Sequence, residues 1–160
     1  MVQPLKVKVG EKAPEFCLLD KDENEVCLKD YLGKWIVLYF YPKDNTKGCT
    51  IEAIDFTSQI DEFSKLGAEI LGISPDSTKS HQKFTDKHEL KVRLLSDVDH
   101  DMLEKYGVWQ EKSMYGNTYF GVVRSTILVD PKGTIAEIWE KVKVANHVES
   151  VKNKLVELQK

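Results

Sequence analysis

The stretch WIVLYFYPKDNTKGCTIEAIDFTSQIDEFSKLGAEILGIS, residues 35–74, decides the fold. It opens with WIVLYF, an unbroken apolar run too short for a helix and rich in β-branched and aromatic residues, as expected of a central strand covered on both faces. After the YPKDNTKG loop, Ala53, Phe56, Ile60 and Phe63 recur at helical spacing with polar residues between them, and Gly67 closes the helix. AEILGIS then reads as the next buried strand. A strand, a helix and a strand in this order need a crossover, which is almost always right-handed and joins parallel strands. The stretch therefore predicts a βαβ unit.

Working outward, FCLLDKDENEVCL (16–28) predicts two short strands around a polar DKDEN turn, an N-terminal hairpin. On the other side, STKSHQKFTDKHEL (77–90) predicts a second helix, HDMLEKYG (100–107) a short one, and STILVDPKGTIAEIWE (125–140) two antiparallel strands joined at DPKG. The tail predicts a last helix capped by Asn146, with Glu149 three residues on and an apolar stripe of Val148, Val151, Leu155 and Leu158. This order predicts an α/β, thioredoxin-like fold: a mixed central sheet flanked by helices, with an N-terminal β-hairpin extension.

Composition bounds the rest. A chain of 160 residues, 41% of them hydrophobic, buries one sizeable core, so a single domain over residues 1–160 is expected. The net charge of -3 arises from intermixed acids and bases, without the basic stripe that neutralises phosphates, and argues against nucleic acid as a partner. The start, MVQPLKVKVGEKAPEF, carries lysines throughout and no signal-like apolar run, and no later segment reaches membrane-spanning length. The expectation is a soluble, cytoplasmic protein. Cys17, Cys27 and Cys49 are odd in number and widely spaced, which suits a reducing compartment better than a secreted disulfide framework and leaves at least one thiol free.

Cys49 is the residue of interest. The crevice beyond the carboxyl end of a central strand is where open α/β folds bind ligands, and YPKDNTKGC lies there. Cys49 falls in the first turn of the following helix, where unpaired N–H groups and the helix dipole favour an anion, and a thiolate is one. Gly48 allows close backbone approach, Pro42 fixes the strand exit, and Thr46 offers a hydroxyl three residues before the sulfur. Free cysteine is more often inert core packing, but its place at a helix start after a Pro, Thr and Gly loop reverses that expectation. Taken alone, Thr46 would be a helix cap and Pro42 a turn residue.

YPKDNTKGCT (41–50) resembles the P-x-x-x-T-x-x-C motif of peroxiredoxins, and FYPKDNTKGCTIEA (40–53) resembles the bacterioferritin comigratory protein branch, also called peroxiredoxin Q. GEKAPEFCLLDKDENEVCLKDYLGKWIVLYFYPKD, FSKLGAEILGISPDSTKSHQKF, LLSD, YGVW and RSTILVDPKG are each similar to the corresponding family segments, so the resemblance covers nearly the whole chain. It implies a thiol peroxidase that reduces hydrogen peroxide and alkyl hydroperoxides through a cysteine sulfenic acid, without metal or organic cofactor. Cys49 matches the peroxidatic cysteine, Thr46 the threonine that orients peroxide and thiolate, Pro42 the shielding proline and Arg124 the family arginine. A guanidinium is always charged and donates in a planar fork, suited to holding a thiolate and polarising a peroxide oxygen. Glu52, one helical turn after Cys49, either orients this arginine or forms a surface salt bridge.

The chain also departs from the family pattern. Many members of this branch have a resolving cysteine five residues after the peroxidatic one; here that residue is Ile54, and Thr85 stands near the alternative position in the next helix. The chain thus resembles a one-cysteine peroxiredoxin whose sulfenic acid is reduced by an external thiol: thioredoxin, a glutaredoxin or glutathione. Cys17 and Cys27 are either small apolar strand residues, or face one another, or reach a neighbouring subunit. Lys47 stands where proline is frequent. The chain is expected to be a monomer or homodimer. The competing class is a thioredoxin-fold redox sensor or interaction module without efficient turnover, which the retained Pro42, Thr46, Cys49 and Arg124 disfavour.

Other signals carry less. Asp97, Asp99 and Asp101 alternate as in a calcium loop, but the glycine position is Met102 and the closing acid position is Val108. His81, His88, His100 and His147 form no short metal-ligand pattern, and there is no C-x-x-C. Tyr106 and Trp109 read as packing aromatics rather than as the mouth of the site.

Overall fold

The computed structural model describes residues 3–160. Strands β1 (Cys17–Asp20) and β2 (Glu25–Cys27) form the N-terminal hairpin, its turn held by the Asp20 carboxylate, which accepts the Asp22 and Asn24 N–H groups. β3 (Trp35–Phe40), α1 (Lys47–Ser58), α2 (Ile60–Lys65) and β4 (Ala68–Ser74) build the βαβ unit, with β3 and β4 parallel from Trp35↔Ala68 to Phe40↔Ile73. α3 (Thr78–His88), β5 (Arg93–Ser96) and α4 (Asp101–Tyr106) follow, and then β6 (Trp109–Met114) and β7 (Asn117–Val122), which pair with each other as a separate ribbon. β8 (Ser125–Val129), β9 (Ile135–Trp139) and α5 (His147–Leu158) complete the order.

The main sheet has seven strands in the order β2-β1-β5-β4-β3-β8-β9, parallel among β3, β4 and β5 and antiparallel at both flanks. This is a thioredoxin-like α/β fold. Alternation along the strands divides the core between the two faces of the sheet. Val37, Tyr39, Ile70 and Leu94 pack with Phe56, Phe84, Val151 and Leu155 on one face, while Leu38, Phe40, Ile73 and Leu95 pack with Leu103, Tyr106 and Val108 on the other. WIVLYF is paired on both edges, by β4 and β8, and from Ile36 to Phe40 is buried on both faces by the two core clusters, as its unbroken apolar run requires.

Four differences from the sequence reading have local causes. The helix expected through Phe63 is two helices: at Gln59 (φ -105°, ψ 4°) the N–H bonds back to Phe56 O, tightening the turn after Thr57 and Ser58, and Phe56 and Phe63 both stay buried. Asn146 precedes α5 in a left-handed conformation, and its side chain makes no capping bond, so the expected cap does not form. The strand Arg93–Ser96, which overlaps LLSD, is too short to show a period. The β6–β7 ribbon turns at Tyr115 and Gly116, both with positive φ (52° and 80°), and tyrosine there gives none of the usual Asn or Asp turn signal. Of the two aromatics set aside earlier, Tyr106 is buried with its hydroxyl donating to Pro14 O, and Trp109 stacks on His100.

Candidate active site

The loop after β3 brings four elements together around Cys49. Asn45, with φ of 67°, turns the chain into α1, and Cys49 is the third residue of that helix, 1% exposed, its thiol free. Arg124 lies immediately before β8, which pairs antiparallel with β3, so its side chain crosses to the start of α1. Its Nη2 donates to Cys49 Sγ at 3.1 Å and its Nη1 to Glu52 Oε1 at 2.6 Å. A Cβ on Gly48 would sit 3.3 Å from Arg124 Nη2, so glycine there makes room for the guanidinium.

Glu52 is fully buried, which rules out the surface salt bridge and leaves it as the carboxylate that fixes Arg124. One helical turn separates it from Cys49, so sulfur and carboxylate project the same way and share one guanidinium fork. Thr46 occupies the position before α1, but its hydroxyl makes no capping bond and donates instead to Lys43 O at 2.9 Å. With that proton engaged, the Thr46 oxygen is free to accept. Pro42 is half-buried at the exit of β3. Cys17 and Cys27, directly opposite one another in the hairpin register, are joined as a disulfide, and Cys17 is exposed; neither is the apolar strand filler that one reading allowed.

Residues 9–138 match the model of the AhpC/TSA family. The chain belongs to this family. It is a peroxiredoxin of the Bcp or peroxiredoxin Q kind, a thiol peroxidase. Its relatives include peroxiredoxin Bcp of Bacillus subtilis (strain 168), 46% identical over 144 residues that cover 90% of this chain and 92% of the relative. Peroxiredoxin Bcp of Escherichia coli (strain K12) is 42% identical over 151 residues, covering 94% and 97%. A cysteine-to-serine mutant of Xylella fastidiosa PrxQ superposes with a TM-score of 0.92 at 37% identity, covering 96% of this chain and 98% of that one. The bacterioferritin comigratory protein of Xanthomonas campestris gives 0.89 at 39% identity, covering 96% and 100%. Among the described residues of this peroxiredoxin, no helix is long and apolar enough to cross a membrane.

Sequence reasoning missed a second buried network that fixes the Pro42–Thr46 loop. The Asp44 carboxylate accepts from Tyr41 Oη (2.6 Å) and Ser80 Oγ (2.8 Å) and pairs with His81 Nδ1 (2.7 Å), while the Asp44 N–H donates to Asp76 Oδ2. The other ring nitrogen of His81 faces the Leu95 carbonyl at 3.0 Å, so both ring nitrogens have a polar partner inside the core. This network ties the middle of the Pro42–Thr46 loop to the first turns of α3. Nothing in the spacing of Asp44 and His81 signals it. Asp44→Ala is expected to strand His81, Ser80 and Tyr41 and to cost about 3–5 kcal/mol, as for breaking a buried pair, read by urea denaturation. A loss below 1 kcal/mol would mean that the loop is held elsewhere.

A second cation was also missed. Lys112 of β6 is half-buried with Nζ donating to Val122 O at 2.8 Å, and burial, then the like charge of Arg124, lowers its pKa from the ordinary lysine value while Cys49 opposes the shift.

Two buried groups beside Arg124 titrate in opposite directions. Burial raises the Glu52 pKa from 4.5 to about 7 against the attraction of Arg124, and its Oε2 has no hydrogen-bond partner among the described residues. Burial, aided by the charge of Arg124, lowers His147 from 6.5 to about 4, and its Nε2 pairs with Thr126 Oγ1 at 2.7 Å. Folded Glu52 keeps a proton that the unfolded chain releases between pH 4.5 and about 7, so its contribution is present at low pH and lost as pH rises through that window. Folded His147 refuses a proton that the unfolded chain takes up between pH 6.5 and about 4, so its contribution is lost as pH falls. The two slopes nearly cancel in the wild type. Glu52→Gln should expose the histidine slope, with stability dropping by about 3 kcal/mol as pH falls through its window, and His147→Asn should expose the opposite one. Urea melts at pH 4.5, 5.5 and 7 check this; parallel profiles for all three proteins would refute it.

Proposed function

We propose that this peroxiredoxin, acting as one catalytic domain over residues 1–160, reduces hydrogen peroxide and alkyl hydroperoxides through Cys49. The observation that carries the assignment is the Arg124 fork, one arm on Cys49 Sγ at 3.1 Å and the other on buried Glu52 at 2.6 Å. The Xanthomonas campestris relative is described for its alkyl peroxide reduction activity, which supports the substrate class.

In the proposed reaction the Cys49 thiolate attacks one peroxide oxygen, the O–O bond breaks, alcohol or water leaves after taking up a proton, and Cys49 becomes a sulfenic acid. Arg124 is held by Glu52 where charge moves from the sulfur to the leaving oxygen, so its donors need no reorganisation as the bond breaks. Thr46, its own proton engaged by Lys43 O, accepts the peroxide O–H and lines the O–O bond up with the sulfur. Pro42 keeps water from one side of the loop. The electrons come ultimately from external thiols.

Steady-state peroxide consumption with dithiothreitol, glutathione and a thioredoxin as alternative donors tests turnover. Sustained consumption with at least one donor is expected. A single stoichiometric oxidation that no donor reverses would instead indicate the redox sensor.

A further inference from the structure

Cys17 and Cys27 lie outside the Cys49 site, yet their placement is not neutral. Phe40, Ile73, Leu95 and Asp20 form one row across β3, β4, β5 and β1. The chain leaves that row toward the Cys49 loop in β3 and enters it from Cys17 in antiparallel β1, so both cysteines lie at the same end of the sheet. Cys17 alternates with Leu18, whose side chain packs on the Leu38 and Phe40 face, and therefore projects from the face that carries α1 and α3. The start of α3 lies between the two: Ser77 and Thr78 line the groove beside Cys17, and Ser77 and Ser80 line the one beside Asp44 and Asn45.

We propose that the Cys17–Cys27 pair is a second redox centre, in which Cys17 resolves the Cys49 sulfenic acid and Cys27 completes the exchange. The proposal rests on Cys49 being the peroxidatic residue. Positions 54 and 85 hold isoleucine and threonine, so these two sulfurs are the chain's other thiols. Cys17 is the exposed member of the pair and Cys27 the buried one, so an incoming sulfur meets Cys17. The Cys17 thiolate attacks the Cys49 sulfenic sulfur; the S–O bond breaks, hydroxide leaves and takes the thiol proton as water, and a Cys17–Cys49 disulfide forms. The Cys27 thiolate then attacks Cys17, expelling Cys49 as thiolate and leaving the Cys17–Cys27 disulfide seen here beside a free Cys49. An external dithiol restores the pair by attack on Cys17.

The lateral part of the gap is within reach of the loop. Three strand spacings separate β1 from β3, about 14 Å, whereas the five residues from clamped Asp44 to Cys49 span about 17 Å when extended. The first turn of α1 must open: Thr46 gives it no side-chain cap and it contains Gly48, and opening it gives up the Arg124 bond to Cys49 and the Thr50 hydroxyl bond to Thr46 O.

Peroxide stoichiometry tests this on the fully reduced protein without added thiol. Relay through the pair regenerates Cys49 once, so two hydrogen peroxide molecules per chain are expected, with a Cys17–Cys27 disulfide in the product by mass spectrometry. Cys17→Ser should consume one without forming a disulfide to Cys49 through position 17, and Cys27→Ser should consume one and accumulate a Cys17–Cys49 disulfide. One peroxide per wild-type chain, with Cys17 and Cys27 still reduced, would overturn the relay while leaving Cys49 in place. No consumption at all would instead sink the Cys49 reading.

Discussion

Cys49→Ser is expected to abolish the rapid reaction with peroxide, leaving only the slow oxidation of exposed thiols. A serine hydroxyl at this position accepts the same Arg124 hydrogen bond but is not ionised at neutral pH, and the thiolate, not the thiol or alcohol, is the nucleophile toward a peroxide oxygen. The substitution removes one polarisable atom from a buried position and leaves the guanidinium with a hydrogen-bond acceptor, so the fold should persist, with a urea midpoint near that of the wild type. The measurement is stopped-flow loss of hydrogen peroxide under single-turnover conditions. A rapid phase that survives in the serine variant would move the reactive sulfur to the hairpin and dismantle the assignment.

Arg124→Met should lower the second-order rate constant with peroxide by about 10²–10³-fold, the scale expected for deleting one preorganised donor from a site of developing charge. Two losses combine: the N–H on Cys49 Sγ disappears, and buried Glu52 loses its only side-chain partner among the described residues. Arg124→Lys separates charge from geometry, because an ammonium is a point donor that cannot bridge sulfur and carboxylate as the planar fork does. The lysine variant is expected to recover part of the rate but not most of it. Glu52→Gln, which leaves the guanidinium in place but loosens its anchor, should fall between wild type and Arg124→Met. Equal rates for lysine and arginine at this position would mean that charge alone suffices and that the fork has no role.

The fold was largely legible because its deciding elements carry strong periods. WIVLYF and AEILGIS are almost wholly buried parallel strands and read as predominantly apolar runs, and the helix between them shows its apolar spacing even though it breaks at Gln59. What escaped was short or conformationally unusual: β5 offers four residues, and the turn of the β6–β7 ribbon uses Tyr115 where a left-handed residue is seldom tyrosine. At the site, Pro42, Thr46 and Cys49 were readable because one loop holds them all. Arg124 was readable through the family motif, since 75 residues separate it from Cys49 and only strand pairing brings them together. Asp44 and His81 were not readable at all, because each is an ordinary polar residue until the α3 start is laid beside the loop. The disulfide belongs to the same class: Cys17 and Cys27 were open to three readings, and the hairpin register chose between them.

Stopped-flow on protein with Cys49 reduced and the Cys17–Cys27 disulfide intact shows whether Arg124-bound Cys49 is the sulfur that reacts with peroxide. This state has a single free thiol. Rapid loss of one hydrogen peroxide per chain is expected, with a sulfenic-acid label such as dimedone recovered on the Cys49 peptide. Loss of much less than one equivalent, or a label recovered elsewhere, would contradict it.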